Sequence, residues 1–345
     1  MTTDKAADPQ KPWRRGLWLS LALVMLAALS LAPYMTSSTE LVRMRNALLL
    51  DDRFDAAQDW APPSFPPEFK LDRADPYPEF VTAVEQMGLA SMPNDWDRVL
   101  AISKHLLGGV PVPTGGAIQS DLLDTYRRIT KHGEGYCGDF VDVFIGLANV
   151  AGITTRPWAF SFDGFGGHGH IWVEIWNRQA QAWQLVDIFI NNYFVLEDGR
   201  PLSAFEFRRA LLGQSKDLRM RPLYEGAEAR RFAIEAKAWD YYGRGLSEWY
   251  RWRGTNVFAY DRTWLVHEPG KVSRSLEQLG GIVAGVMPRM VILSSSENRA
   301  AHESLRRLRW QLFVVLVTVP LGVLSALVCW VQLRRRKSGL KQLHG

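Results

Sequence analysis

His132–Gly152 reads HGEGYCGDFVDVFIGLANVAG. Gly133, Gly135 and Gly138 frame Tyr136 and Cys137. Behind them apolar residues recur at Phe140, Val143, Phe144, Leu147, Ala148 and Ala151, the i, i+3, i+4, i+7 spacing of one helix face. Gly152 suits the C-terminal stop. The spacing predicts a helix with Cys137 in its first turn, three residues before Phe140 and turned toward the buried side. Free N–H groups and the positive end of the helix dipole favour a thiolate at such a position. The glycines permit a tight backbone that exposes the sulfur and lets a substrate carbonyl approach. The second cysteine, Cys329, lies in an apolar run near the C-terminus, so no disulfide is expected. Cys137 is therefore either a buried filler or a reactive thiol.

A nucleophilic cysteine needs a base, and the base needs an orienting acceptor. His168–Trp176 reads HGHIWVEIW, which puts His170, Trp172, Glu174 and Trp176 on one strand face and Ile171, Val173 and Ile175 on the other. Gln181–Phe189 reads QAWQLVDIF, with Trp183, Leu185, Asp187 and Phe189 sharing a face. Asn177–Ala180 is a natural hairpin loop. Pairing Trp176 with Gln181 sets Glu174 opposite Trp183, Trp172 opposite Leu185 and His170 opposite Asp187. The simplest hairpin thus brings a carboxylate beside the imidazole. Blander readings are a structural thiol, a core histidine and a surface hairpin charge. They leave the glycine frame and its downstream partners unexplained. His168 and His170 have the spacing of a metal pair, but no further Cys/His cluster accompanies them, so no metal or other cofactor is expected. His168 reads as a loop residue.

These linked motifs resemble the transglutaminase-like superfamily. Its pattern runs G-x-C-x-D-F/Y at a helix start, then G-I-x-x-R, H-x-W-x-E and W-x-x-x-D. Here stand Gly135, Cys137, Asp139 and Phe140, then Gly152–Ile153 with Arg156, then His170, Trp172 and Glu174, then Trp183 and Asp187. The match is close over about 55 residues and looser over Asp95–Ile190. The resemblance implies an α+β fold in which the cysteine-bearing helix packs on an antiparallel sheet, as in transglutaminase-like and papain-like enzymes. It also implies thiol-acyl chemistry with Cys137, His170 and Asp187 as the catalytic triad. The family holds cross-linking acyltransferases, peptidases and amidases, so it does not imply one reaction. Asp139 suits the helix N-terminus by charge, and Arg156 and Glu174 read as an ion pair between neighbouring strands. An oxyanion hole would use the Cys137 N–H and an upstream side chain that the sequence does not identify. The cluster Tyr241, Tyr242, Trp249, Tyr250 and Trp252 reads as core rather than substrate groove.

An apolar content of 47% with 22% charge excludes a disordered chain. The net charge is +5, but residues 1–15 and 334–345 carry +2 and +5 of it, leaving about −2 between them. The basic tails are no argument for nucleic-acid binding, which needs a basic face on the folded domain. Gly16–Met35 and Trp310–Leu333 are uncharged, and twenty residues at ~1.5 Å each span the ~30 Å hydrocarbon layer. Both read as transmembrane helices. The first reads as an uncleaved anchor rather than a signal peptide, because it is long and its best small-residue site, Ser30 and Ala32, is followed by Pro33. Excess Lys/Arg beside the termini places both in the cytoplasm and residues 36–309 outside, in a bacterium the periplasm.

The expected organisation is a cytoplasmic N-terminus (1–15), a span (16–35), a Pro-rich extended linker (36–94) and a catalytic core (95–195). A mainly helical extension (196–309), a second span (310–333) and a basic cytoplasmic tail (334–345) follow. Ser203 and Glu206 form a capping box, and Ala227–Tyr250 reads as a longer helix. The function expected is a hydrolase, a peptidase or amidase on an envelope protein or peptide, anchored in the inner membrane. The alternatives are a cross-linking protein acyltransferase, or a non-catalytic scaffold that binds other envelope proteins in an assembly complex.

Overall fold

The computed structural model describes residues 10–52, 60–110 and 114–342. Residues 1–9 of the expected cytoplasmic N-terminus and 343–345 of the basic tail lie outside the described residues. Helices α1 (Lys11–Ser30), α2 (Ser38–Leu49), α3 (Pro78–Gln86), α4 (Asp95–Gly108), α5 (Leu122–His132) and α6 (Cys137–Val150) come first. Strands β1 (Thr155–Ser161), β2 (Gly169–Asn177), β3 (Ala182–Asp187) and β4 (Asn192–Val195) follow. The remainder runs α7 (Ala204–Leu212), β5 (Arg219–Pro222), α8 (Glu235–Arg244), β6 (Trp249–Trp252), α9 (Val257–Asp261), α10 (Trp264–Gly270), α11 (Arg274–Val283), β7 (Met290–Ile292) and α12 (Arg299–Gln342). The strands form one antiparallel sheet in the order β5-β4-β3-β2-β1-β6-β7. The fold is mixed, helices with an antiparallel sheet, as the sequence implies.

Alternation along the strands gives the sheet two buried faces. Val173, Ile175 and Val186 share a core with Phe140, Val143, Phe144 and Leu147 of α6. Those four helix residues are fully buried, and each stabilises the packing by roughly 1.5–3 kcal/mol relative to exposure. That sum far exceeds a typical helix cap of ~1 kcal/mol, so packing fixes where α6 sits. On the other face Trp158, Phe160, Trp172, Leu185, Phe194, Tyr242 and Trp249 form an aromatic core.

Three expectations need correction. First, the Pro-rich linker is not a free spacer. It contains α2 and α3, and Trp60 with Phe65 and Phe69 packs on Trp176 and Trp183. The Trp183 indole donates to the Trp60 carbonyl at 2.6 Å. Apolar rings between the prolines supply the burial that a spacer lacks.

Second, the extension 196–309 adds β5, β6 and β7 to the sheet. The expected helix 227–250 is split into a 3-10 turn (Glu225–Arg230), α8 and the start of β6. Gly245 ends α8 against the ring of Phe160, where any Cβ would clash. Ser203 does cap α7, with the reciprocal bond from Glu206.

Third, the sequence suggests two spans, and among the described residues one helix, α12 over Arg299–Arg335, is long and apolar enough to cross a membrane. Helix α1 starts at Lys11 rather than Gly16 and stops at Ser30, because Pro33, three residues on, has no N–H to continue the ladder, and a 3-10 turn (Ala32–Met35) follows. Its uncharged part, residues 16–30, rises only roughly 22 Å against a ~30 Å hydrocarbon layer. Helix α1 nevertheless packs closely along α12. Ser20 donates to Ser325 at 2.9 Å, Gly16 abuts Cys329, and Gly322 abuts Val24. Gln311 of α12 caps the end of α1 by donating to the Ser30 carbonyl at 2.7 Å.

Candidate active site

Cys137 opens α6 and is partly exposed. Gly135, at φ +108°, makes the left-handed turn that delivers it. Asp139 reaches back to accept from the Tyr136 N–H at 2.8 Å, which ties the turn to the helix. Burial raises the Asp139 carboxyl, and the N–H bonds from Tyr136 and Ile118 work against that rise.

Strand β2 begins at Gly169, where a Cβ would strike the Phe160 carbonyl oxygen. Glycine lets β1 and β2 close there and brings His170 into the buried sheet end. His170 Nε2 lies 2.7 Å from Asp187 Oδ2. Cys137 lies beside the same imidazole and favours its charged form. With Nε2 on Asp187, Nδ1 is the nitrogen left for the sulfur. The structure therefore brings all three sequence-selected residues together.

The pairing that achieves this differs from the expected one. Trp176 pairs with Trp183 and Glu174 with Leu185, not Gln181 and Trp183. Asn177 stays in β2, paired with Ala182, and its Oδ1 accepts from Gln179 and Ala180 N–H at 3.0 Å each. The turn therefore occupies residues 178–181, with Gln181 at φ +50°. The register moves by two, so both side chains keep their face, and Asp187 meets His170 diagonally rather than directly.

Asp187 is fully buried and held from three sides. Oδ2 takes His170 and the Tyr242 hydroxyl at 2.9 Å, and Oδ1 takes the Ile190 N–H at 3.1 Å. Burial alone would keep His170 neutral. The Asp187 charge and hydrogen bond, with those of Cys137, overcome that penalty and raise the imidazole to about 10. A thiol beside a charged imidazole, oriented by a fixed carboxylate, is equipped to attack a carbonyl and protonate a leaving group.

The sequence pattern reads Tyr242 only as core. Its ring does stack on Trp172 at 5.4 Å, yet its hydroxyl fastens Asp187. Burial and the Asp187 charge hold that hydroxyl well above its ordinary pKa, so it stays a donor. Tyr241 lies with its ring centre 5.7 Å from that of His170. Arg156 and Glu174 face each other across β1 and β2 and form a buried ion pair, and Glu174 also accepts from Ala204 N–H at 2.6 Å. His168 points outward, 3.6 Å from Asp163.

A cavity of about 590 Å³ opens beside Cys137 and His170. Helices α2, α6, α9 and α11 line it with Arg45, Asp142, Tyr260, Arg274 and Glu277, and Gln119 lies on its rim. Sequence patterning singles out none of these, because they come from five separated segments with no shared motif.

Residues 84–188 match the family model described as the transglutaminase-like superfamily. The segment is less than half of the chain, but it runs from α3 past β3 and holds Cys137, His170 and Asp187. The segment is similar to a superfamily made up generally of cysteine enzymes, and the resemblance carried by the motifs is borne out. No curated protein and no solved structure matched the chain.

Proposed function

We propose that this protein is a membrane-anchored cysteine hydrolase that cleaves an amide in an envelope protein or peptide. The observation that carries the reading is the 2.7 Å His170–Asp187 bond with Cys137 beside that imidazole in the same cavity. Cys137 Sγ attacks the carbonyl carbon, forming the C–S bond. The C–N bond then breaks as His170 gives its proton to the leaving amine. Water adds next, passing a proton back to His170, and the C–S bond breaks to release the acid. The free N–H groups at the start of α6 stabilise the oxyanion, with Gln119 as the upstream amide donor.

Anchoring is supported by α12 and by its tight pairing with α1. Small residues let the two backbones approach, as in membrane helix pairs. Trp18, Leu19, Leu26, Phe313, Leu321 and Leu324 meanwhile face outward uncovered. In this reading α12 crosses the plasma membrane with α1 packed against it, its C-terminal end is cytoplasmic and residues 36–309 are periplasmic. An alkaline phosphatase fusion near residue 200 should be active in a bacterial host, and an inactive fusion there would reverse the topology.

For the chemistry, the purified chain in detergent should react with p-nitrophenyl acetate in a burst that leaves an acetyl group on Cys137, readable by mass spectrometry. Cys137→Ala should lose the burst. Faster decay of the acetyl-enzyme in added amine than in water would favour acyl transfer over hydrolysis. An alkylation rate at Cys137 no faster than that of a free thiol would remove the enzymatic reading.

A further inference from the structure

Among the charged and hydroxyl side chains that line the cavity beside Cys137, five divide into two sets. Arg274 donates to both oxygens of Glu277, at 2.9 and 3.1 Å, and the Tyr260 hydroxyl donates to the same carboxylate at 3.0 Å. That set is closed on itself and nearly neutral. Asp142 and Arg45 form the other set. Asp142 projects from α6 one turn beyond Gly138, and among the described residues it has no hydrogen-bond or ion-pair partner. Arg45 comes from α2 across the cavity. Its Nε and Nη2 both go to Asn46 Oδ1, at 3.0 and 2.8 Å, and its guanidinium lies 5.4 Å from the Trp252 ring centre. Nη1 is left without an acceptor among the described residues. The two opposite charges line one cavity and do not pair with each other.

An ionised carboxylate kept from bulk water is costly unless something pairs with it. Burial raises Asp142 to about 7, and the nearby charges of Arg274 and Arg45 offset only part of that rise. A lone ammonium on Asp142 would face repulsion from Arg45, and a lone carboxylate on Arg45 would face repulsion from Asp142. A group carrying both signs satisfies both residues at once.

We propose that Asp142 and Arg45 form a subsite for a zwitterionic α-amino-acid group of the substrate, the ammonium on Asp142 and the carboxylate on Arg45. This deepens the reading of Cys137 as the acyl-accepting nucleophile and rests on it for its place in the reaction. The substrate class becomes an amide made through the side chain of an amino acid whose α-ammonium and α-carboxylate are both free, seated with its scissile carbonyl toward the sulfur.

The test uses the full chain in detergent carrying Cys137→Ser, so that binding is measured without turnover. Calorimetric titrations compare L-lysine, cadaverine (the same amine without the carboxylate) and Nα-acetyl-lysine (the same carboxylate without the α-ammonium). Lysine should bind at least ~10-fold more tightly than either analogue. Asp142→Asn and Arg45→Gln should each remove that preference while leaving the unfolding temperature unchanged. Should either variant fail to fold, the three-ligand series on the parent decides alone. Equal affinities for the three, no lysine binding at roughly 10 mM, or an Asp142→Asn chain that binds lysine like the parent would overturn the proposal. If the charge-dependent preference holds while p-nitrophenyl acetate leaves Cys137 unmodified, the subsite stands and the acyl-enzyme reading falls.

Discussion

Residues 84–188 and residues 196–309 contribute to the same site in different ways. The first segment supplies Cys137, His170 and Asp187 from one helix and one hairpin that are neighbours in sequence. The second supplies Tyr242, Tyr250, Arg274 and Glu277 from elements of four to ten residues that reach the site only through the sheet and its covering helices. Reactive groups sit on long, strongly packed local structure, whereas the enclosing wall is assembled over long range. The chemistry should therefore survive damage to the wall, and the wall should survive loss of the chemistry.

The largest effect should come from Asp187→Asn. Asn keeps the shape but loses the charge that holds His170 protonated, and it misplaces a donor toward the Tyr242 hydroxyl. Turnover should fall at least ~10²-fold, less than the ~10⁴ of the serine-protease template because a preformed ion pair depends less on tautomer. Unfolding should also become easier by about 1–3 kcal/mol, since buried donors lose their acceptor. The pH profile sharpens the point. His170 is raised in the fold, so its stabilisation is complete below its unfolded value of 6.5 and is lost as pH rises through about 10. Thermal melts between those limits should slope downward with pH in the parent and flatten in Asp187→Asn.

Gly280→Ala should break the comparison from the other side. A Cβ at Gly280 runs into the Leu265 carbonyl where α10 and α11 touch. Alanine favours helix by ~1 kcal/mol over glycine, but overpacking of this kind costs ~1–3 kcal/mol and backbone has nowhere to yield. Net destabilisation and weaker ligand binding in the cavity should appear together, while the alkylation rate of Cys137 stays near that of the parent. An equal fall in alkylation would show that wall and chemistry are one cooperative unit.

Tyr242→Phe should have the smallest effect. It removes one hydroxyl from Asp187, while the Ile190 N–H remains. Stability should drop by ~1.5 kcal/mol, as for a hydrogen bond to a charged group, and kcat should fall several-fold with little change in KM. An unchanged kcat would make Tyr242 a core residue only.

The difference between the segments also explains what the sequence makes legible. Helix α6 and strands β2 and β3 carry long, unbroken periodicity, so the residue pattern alone selects Cys137, His170 and Asp187. It does not select the exact pairing of β2 with β3, because that depends on whether Asn177 begins the loop or caps it from the strand. β6 shares Trp249, Tyr250 and Trp252 with an aromatic-rich stretch, and four residues are too few to separate period 2 from period 3.6. Tyr242 looks like core because most of it is core, and a single buried hydroxyl leaves no mark on hydrophobic patterning. Asp142 and Arg45 lie on faces that local pattern reads as ordinary helix surface.

The two-residue offset in the β2–β3 pairing has a wider consequence. The residue numbers of each observed pair add to an odd total, as in the expected pairing. An even total would turn Asp187 into the Val173 and Ile175 side, against α6, and bury a carboxylate among aliphatic groups, at a cost of several kcal/mol. Alternation of apolar residues thus acts as a parity check on the hairpin. It cannot detect a slip of two, but it rejects a slip of one. Every register that passes the check leaves imidazole and carboxylate on the same side of the sheet. The turn then selects among registers that have already kept the pair together.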